Sequence, residues 1–226
     1  KRFGFVGANY TRFLLGLSRR TDYEMVARDV VEMKSFGVRV ARVSMDFGMI
    51  QPALGVLPDS PEYAQVMRKH NMDPDFVDNL DYFVALAGEM GIYTVIDWHG
   101  MATDPYRYFL GGVEQDRGTG KPGTAAAYLA PSPTERGEFD LANPMHVEAL
   151  LNSHRWAARH FKGNPNVLGI EVPFNEPHTK FMAVEANWRR IVDLCARAIA
   201  EEDPEMMTFS LGPSWSHNNL LASVTW

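Results

Sequence analysis

Cysteine is almost absent. Cys195 is the only one among 226 residues, so the chain can close no disulfide on itself and build no cysteine-based metal site. Positive charge is also short. With 22 Lys and Arg against 28 Asp and Glu, the formal charge is -6, which gives no electrostatic support for binding nucleic acid or an anionic membrane, since both call for clustered cations. No apolar run approaches the roughly 20 residues that span a bilayer. Low-complexity tracts, heptad runs and an interdomain linker are missing too. The chain opens at Lys1 with neither an initiator Met nor an apolar leader. It therefore reads as a trimmed mature chain, and the missing leader says nothing about secretion. What is present is 46% hydrophobic content, enough to bury a substantial core and to exclude disorder. A single domain over residues 1–226 is the expectation.

Strand and helix patterns alternate along the chain. Phe3 to Ala8 reads as a short buried strand. A helix from about Tyr23 to Phe36 follows, with Val26, Val30 and Met33 on one face and Gly37 as its stop. Val38 to Val43 is the second strand. The phrase then repeats: Asp73 and Pro74 open a helix whose apolar stripe is Phe76, Leu80, Phe83, Val84 and Ala87, Gly91 ends it, and Ile92 to Ile96 is the third strand. Asn143 and Pro144 open the next helix, which runs through Leu150, His154 and Ala158 to Phe161 and breaks at Gly163-Asn164-Pro165. The fourth strand is Val167 to Val172, the fourth helix about Val184 to Ala200, and the fifth strand Met207 to Leu211.

Buried strands joined by helices imply a parallel sheet. A doubly wound sheet usually carries a glycine-rich phosphate turn after its first strand, whereas Asn9-Tyr10-Thr11-Arg12-Phe13 stands there instead. The expected fold is thus α/β of the (β/α)8 TIM-barrel type. Such a barrel needs about 250 residues, and five strands with four helices make roughly its first five-eighths. Two long connections, Met45 to Met72 and Trp98 to Ala142, leave the C-terminal ends of strands. That is the face where barrel enzymes build their sites.

The tips of the strands are polar or aromatic in every case. Asn9 and Tyr10 end the first, Arg42, Ser44 and Asp46 lie along the second, and Asp97-Trp98-His99-Gly100 ends the third. Asn175 and Glu176 end the fourth, and Trp215 and His217 follow the fifth. One cation among carboxylates, imidazoles and indoles suits a sugar, whose hydroxyls need hydrogen-bond partners and whose C–H faces pack on rings. A phosphate would be served poorly.

Gly169-Ile170-Glu171-Val172-Pro173-Phe174-Asn175-Glu176-Pro177-His178 resembles the fourth-strand signature of glycoside hydrolase family 5, the cellulases and mannanases. Ala41-Arg42-Val43 and Asp97-Trp98-His99-Gly100 extend the likeness to the second and third strands. The resemblance implies a retaining double displacement between two carboxyl groups about 5 to 5.5 Å apart. Glu176 would be the general acid and base, and Asn175 would hydrogen-bond the sugar 2-hydroxyl. Arg42 would lie beneath the nucleophile, with His99 on substrate hydroxyls or on a carboxylate. Trp98, Trp215, Tyr10, Asn9 and His217 would line the substrate. The same resemblance implies secretion, no cofactor, and an oligo- or polysaccharide as partner, first a β-1,4-glucan cut internally and alternatively a β-mannan.

The nucleophile of that family is a second Glu on the seventh strand, so here it is expected from a strand that this stretch does not encode, with the rest of the barrel a possible separate segment. The isolated chain would then be inactive and would leave a raw sheet edge at the fifth strand. Glu171 lies within its strand and cannot reach the far side of the same bond, while Asp97 and Asp46 fit supporting roles. More ordinary readings stand beside these: an ion pair of Arg42 with Asp97 or Asp46, a core imidazole for His99, hydrophobic packing for Trp98 and Trp215. A metal-dependent hydrolase would want His-x-His on the first strand, which offers Asn9-Tyr10, and His154 and His160 are six apart on a helix, out of the i, i+4 register of a zinc helix. A non-catalytic, carbohydrate-binding partial barrel is the alternative outside the enzymes.

Overall fold

A computed structural model describes residues 6–11, 23–46, 76–99, 144–173 and 185–210. The elements in order are β1 (Val6–Tyr10), α1 (Tyr23–Ser35), β2 (Val38–Asp46), α2 (Phe76–Glu89), β3 (Tyr93–His99), α3 (Pro144–His160), β4 (Val167–Val172), α4 (Glu185–Glu202) and β5 (Met207–Ser210). The strands form one sheet in the order β1-β2-β3-β4-β5, and each neighbouring pair is parallel. A doubly wound sheet reverses its order partway across. This one does not, and an unreversed run of parallel strands with a helix at each crossover is the wall of a barrel.

The helices form where the apolar spacing demands them. Val26 and Val30 on α1, Leu80, Phe83, Val84 and Ala87 on α2, Leu150, Leu151, Ala158 and Phe161 with α3, and Trp188, Ile191, Cys195 and Ile199 on α4 are all buried in one core. Acidic Glu24 and Asp78 stand in the first turns of α1 and α2, where the helix dipole favours them. α1, α2 and α3 are each followed by a glycine in the left-handed region, Gly37, Gly91 and Gly163, whereas α4 gives way to Asp203-Pro204. Gly91 has φ 70, and there the Ile92 amide donates to the Ala87 carbonyl at 2.8 Å while the Gly91 amide donates to Gly88 at 2.9 Å, closing the helix end as a Schellman turn. Across the sheet these helices meet Ala41, Val43, Met45, Ile96, Ile170 and Val172. The bulkiest fully buried side chains are Trp98, Phe83, Phe161 and Met45, each worth about 1.5–3 kcal/mol of burial.

Two strands run further than the sequence suggests. β2 continues three residues past Val43 to Asp46, and β3 three past Ile96 to His99; β1 likewise reaches Tyr10 rather than Ala8. Polar residues such as Ser44 and Asp97 look like loop chemistry after an apolar run. They stay in the ladder because the sheet's inner face satisfies them. This matters for the site, since residues in a strand alternate between faces and residues in a loop do not.

Candidate active site

Register decides which side chains can meet. Arg42 pairs with Asn9 on one side and Val95 on the other, Ser44 pairs with Asp97, and Val95 pairs with Gly169. Two residues further along, Asp97 and Glu171 stand level on adjacent strands and on the same face as Arg42. The Arg42 guanidinium closes on both. Its Nε lies 2.6 Å from Glu171 Oε2 and its Nη2 donates to Glu171 Oε1 at 2.9 Å, and the same Nη2 lies 3.0 Å from Asp97 Oδ1. Ser44 Oγ donates to Asp97 Oδ2 at 2.7 Å. One polar network therefore crosses β2, β3 and β4 on the inner face.

Burial explains why these residue types recur together. The Asp97 and Glu171 side chains are 0% and 3% exposed, against 21% for Arg42. A carboxylate taken that far from water needs charge and hydrogen bonds in return. A guanidinium supplies both in a planar fork that fits a carboxylate with two parallel bonds, which a lysine cannot do. The expected ion pair of Arg42 with Asp97 is present. The stronger partner is Glu171, which sequence reasoning considered only as a nucleophile and set aside. The signal was available: a charged residue amid the apolar Ile170 and Val172 of a buried strand must be answered by a cation, and Arg42 is a strand-borne cation two strands away.

Strand alternation corrects two expectations. Tyr10 and Trp98, expected at the substrate, face the helix layer instead. The Tyr10 hydroxyl donates to Asp29 Oδ2 on α1 at 3.2 Å, and its ring stacks on Phe83 of α2 at 4.5 Å. Trp98 is completely buried, with its ring 6.0 Å from His154 and 6.5 Å from Trp156 on α3. Neighbouring positions in a strand cannot both serve one basin, so Asn9 shares Arg42's face while Tyr10 does not, and Trp98 is separated from Asp97 in the same way. Asn9 is exposed opposite Arg42. Position 99 pairs with position 46 at the last rung of β2 and β3; the His99 and Asp46 side chains lie outside the described ones. Asn175, Glu176, Trp215 and His217 lie outside the described residues altogether. The strand that leads to Asn175 and Glu176 is described as far as Pro173, whose peptide bond to Val172 is cis.

Behind β4, His154 is fully buried. Its Nδ1 lies 2.8 Å from the Leu150 carbonyl oxygen and its Nε2 3.3 Å from that of Glu171. Burial lowers its pKa from 6.5 to about 4, against the opposing pull of the Leu150, Glu171 and Pro173 backbone. His160, the other histidine of α3, lies 2.7 Å from Asp81 on α2, so the two imidazoles serve different neighbours. Among the described residues no group of three His, Cys, Asp or Glu side chains is set to hold a metal ion, and no described helix is long and apolar enough to cross a membrane.

An inner-face cluster of Arg, Asp and Glu near the C-terminal ends of parallel barrel strands defines the molecule as a barrel protein with a polar site of the enzyme kind. Residues 17–225 match the cellulase family, glycosyl hydrolase family 5, and the chain belongs to that family. Solved structures with the same fold include the endoglucanase Cel5A of Thermotoga maritima, at 16% identity and TM-score 0.55 over 88% of this chain and 48% of that one. Cel5A of Pseudomonas stutzeri, another endoglucanase, is 21% identical with TM-score 0.50, over 84% and 44%. A subfamily 18 member of glycoside hydrolase family 5 from Streptomyces cattleya is 16% identical with TM-score 0.55, over 92% and 44%. The chain thus spans less than half the length of these structures. A comparison with curated proteins finds no match.

Proposed function

We propose that the protein is a retaining glycoside hydrolase that cleaves β-linked polysaccharide, acting internally on β-1,4-glucan, outside the cell. Glu176 protonates the departing glycosidic oxygen and then activates water, and Asn175 holds the 2-hydroxyl of the sugar. A carboxylate from a barrel strand beyond the five described attacks the anomeric carbon, about 5 to 5.5 Å from Glu176. Arg42 orients that anion from below, and His99 bonds substrate hydroxyls or a carboxylate. Activity belongs to the whole barrel in this reading, so the 226-residue chain alone is inactive.

The observation that carries the proposal is family membership over residues 17–225, combined with an Arg42 held on the inner face of the sheet, two carboxylates around it, on the strand that the family resemblance singled out. Glucan is supported by the Thermotoga and Pseudomonas enzymes, both described with cellobiose. Mannan is the second reading, because the Thermotoga enzyme is also described with mannotriose.

The test is Glu176→Gln in the complete enzyme. A general acid matters most when the leaving group is poor, so hydrolysis of unactivated oligosaccharides should fall by roughly 10²- to 10⁴-fold, while aryl glycosides with acidic phenols still form the glycosyl enzyme. Equal losses on both substrate types would remove Glu176 from the acid role.

A further inference from the structure

We propose that Glu171 is a positioning residue for the reaction: it fixes the plane of the Arg42 guanidinium and ties that plane to the strand that leads in sequence to the Asn175-Glu176 pair. The inference rests on the hydrolase reading above and adds a residue to it. Asp97, 3.0 Å from Nη2, already balances the charge of Arg42. A second buried carboxylate is costly to desolvate, and a merely neutralising partner would have no need to engage two nitrogens. Glu171 engages both Nε and Nη2, at 2.6 and 2.9 Å. Two parallel bonds set the orientation of a guanidinium as well as its location.

The backbone of Glu171 is held independently. It pairs with Phe209 in the β4/β5 ladder, and its carbonyl oxygen faces His154 Nε2 from the helix side. Glu176 follows five residues later on the same chain segment. Asp97 belongs to β3, which leads to His99 rather than to the acid. Of these two carboxylates against Arg42, Glu171 is the one on the strand that leads in sequence to Glu176, so a disturbed clamp misaligns the nucleophile's support relative to the proton donor.

The test is a double-mutant cycle in the full-length protein, with kcat and KM on a soluble β-glucan and the unfolding temperature of each variant. Glu171→Gln keeps the shape and loses the charge, while Glu171→Asp keeps the charge and loses the two-point reach. Each should lower kcat roughly 10- to 100-fold with KM changed little, the scale of an ångström-level misplacement. Each change weakens a buried pair and should lower the unfolding temperature, so kcat is compared at a temperature where every variant is fully folded. In an Arg42→Lys background, where no planar fork remains, Glu171→Gln should add less than about a threefold loss. Additive losses in that background overturn the proposal and leave the hydrolase reading standing. So does an Asp variant with full kcat, even if the Gln variant fails to fold. A wild-type protein that hydrolyses no β-glycan overturns the hydrolase reading, and the role assigned to Glu171 with it.

Discussion

His154 gives the sharpest quantitative expectation, because its proton linkage has a known sign and a bounded size. Its folded pKa of about 4 lies below the ordinary 6.5, so on acidification the unfolded chain takes up the proton first. The stability this group contributes is whole above pH 6.5, declines as pH falls from there, and is fully lost below pH 4. A fall from 6.5 to about 4, at about 1.36 kcal/mol for each factor of ten in the proton affinity, bounds the effect at roughly 3 kcal/mol. Between pH 7 and pH 4.5 the imidazole alone should therefore remove about 2–3 kcal/mol. His154→Gln abolishes the titration while leaving an amide to face the Glu171 carbonyl. Urea unfolding of both proteins at the two pH values isolates the effect, since the carboxylates titrate in both. The wild type should lose about 2–3 kcal/mol more than the variant. Parallel losses would refute the claim that a neutral, buried imidazole stands behind β4.

Arg42→Met should destabilise the protein by roughly 3–5 kcal/mol at neutral pH, because it strips the guanidinium from the buried Asp97 and Glu171 carboxylates. Urea unfolding at neutral pH measures it. Tyr10→Phe should cost about 1 kcal/mol through the bond to Asp29, while kcat and KM on oligosaccharides stay at wild-type values. A raised KM would return Tyr10 to the substrate.

The barrel was legible in the chain because its punctuation is local. Gly37 and Gly91 take φ 76 and φ 70 at the places where the helix patterns end. The stripes of α2 and α4 needed only their 3.6-residue spacing to be read. Where the strands end was less legible. Asp97 and Ser44 look like loop residues until the partner that satisfies each across the sheet is known, and such pairing is information no window along the chain contains. That one misjudgement carried Tyr10 and Trp98 to the wrong side of the sheet. Glu171 stayed hidden for a related reason: its meaning depends on Arg42, 129 positions earlier.

In β3, Asp97 and Trp98 are neighbours with opposite duties, one in the Arg42 network and the other wedged against α3. A single substitution here touches one side of the sheet, whereas a shift of frame touches both. One inserted or deleted residue in this strand would drive the indole into the basin and the carboxylate into grease. Descendants of this gene should accumulate length changes only where the ladder has ended.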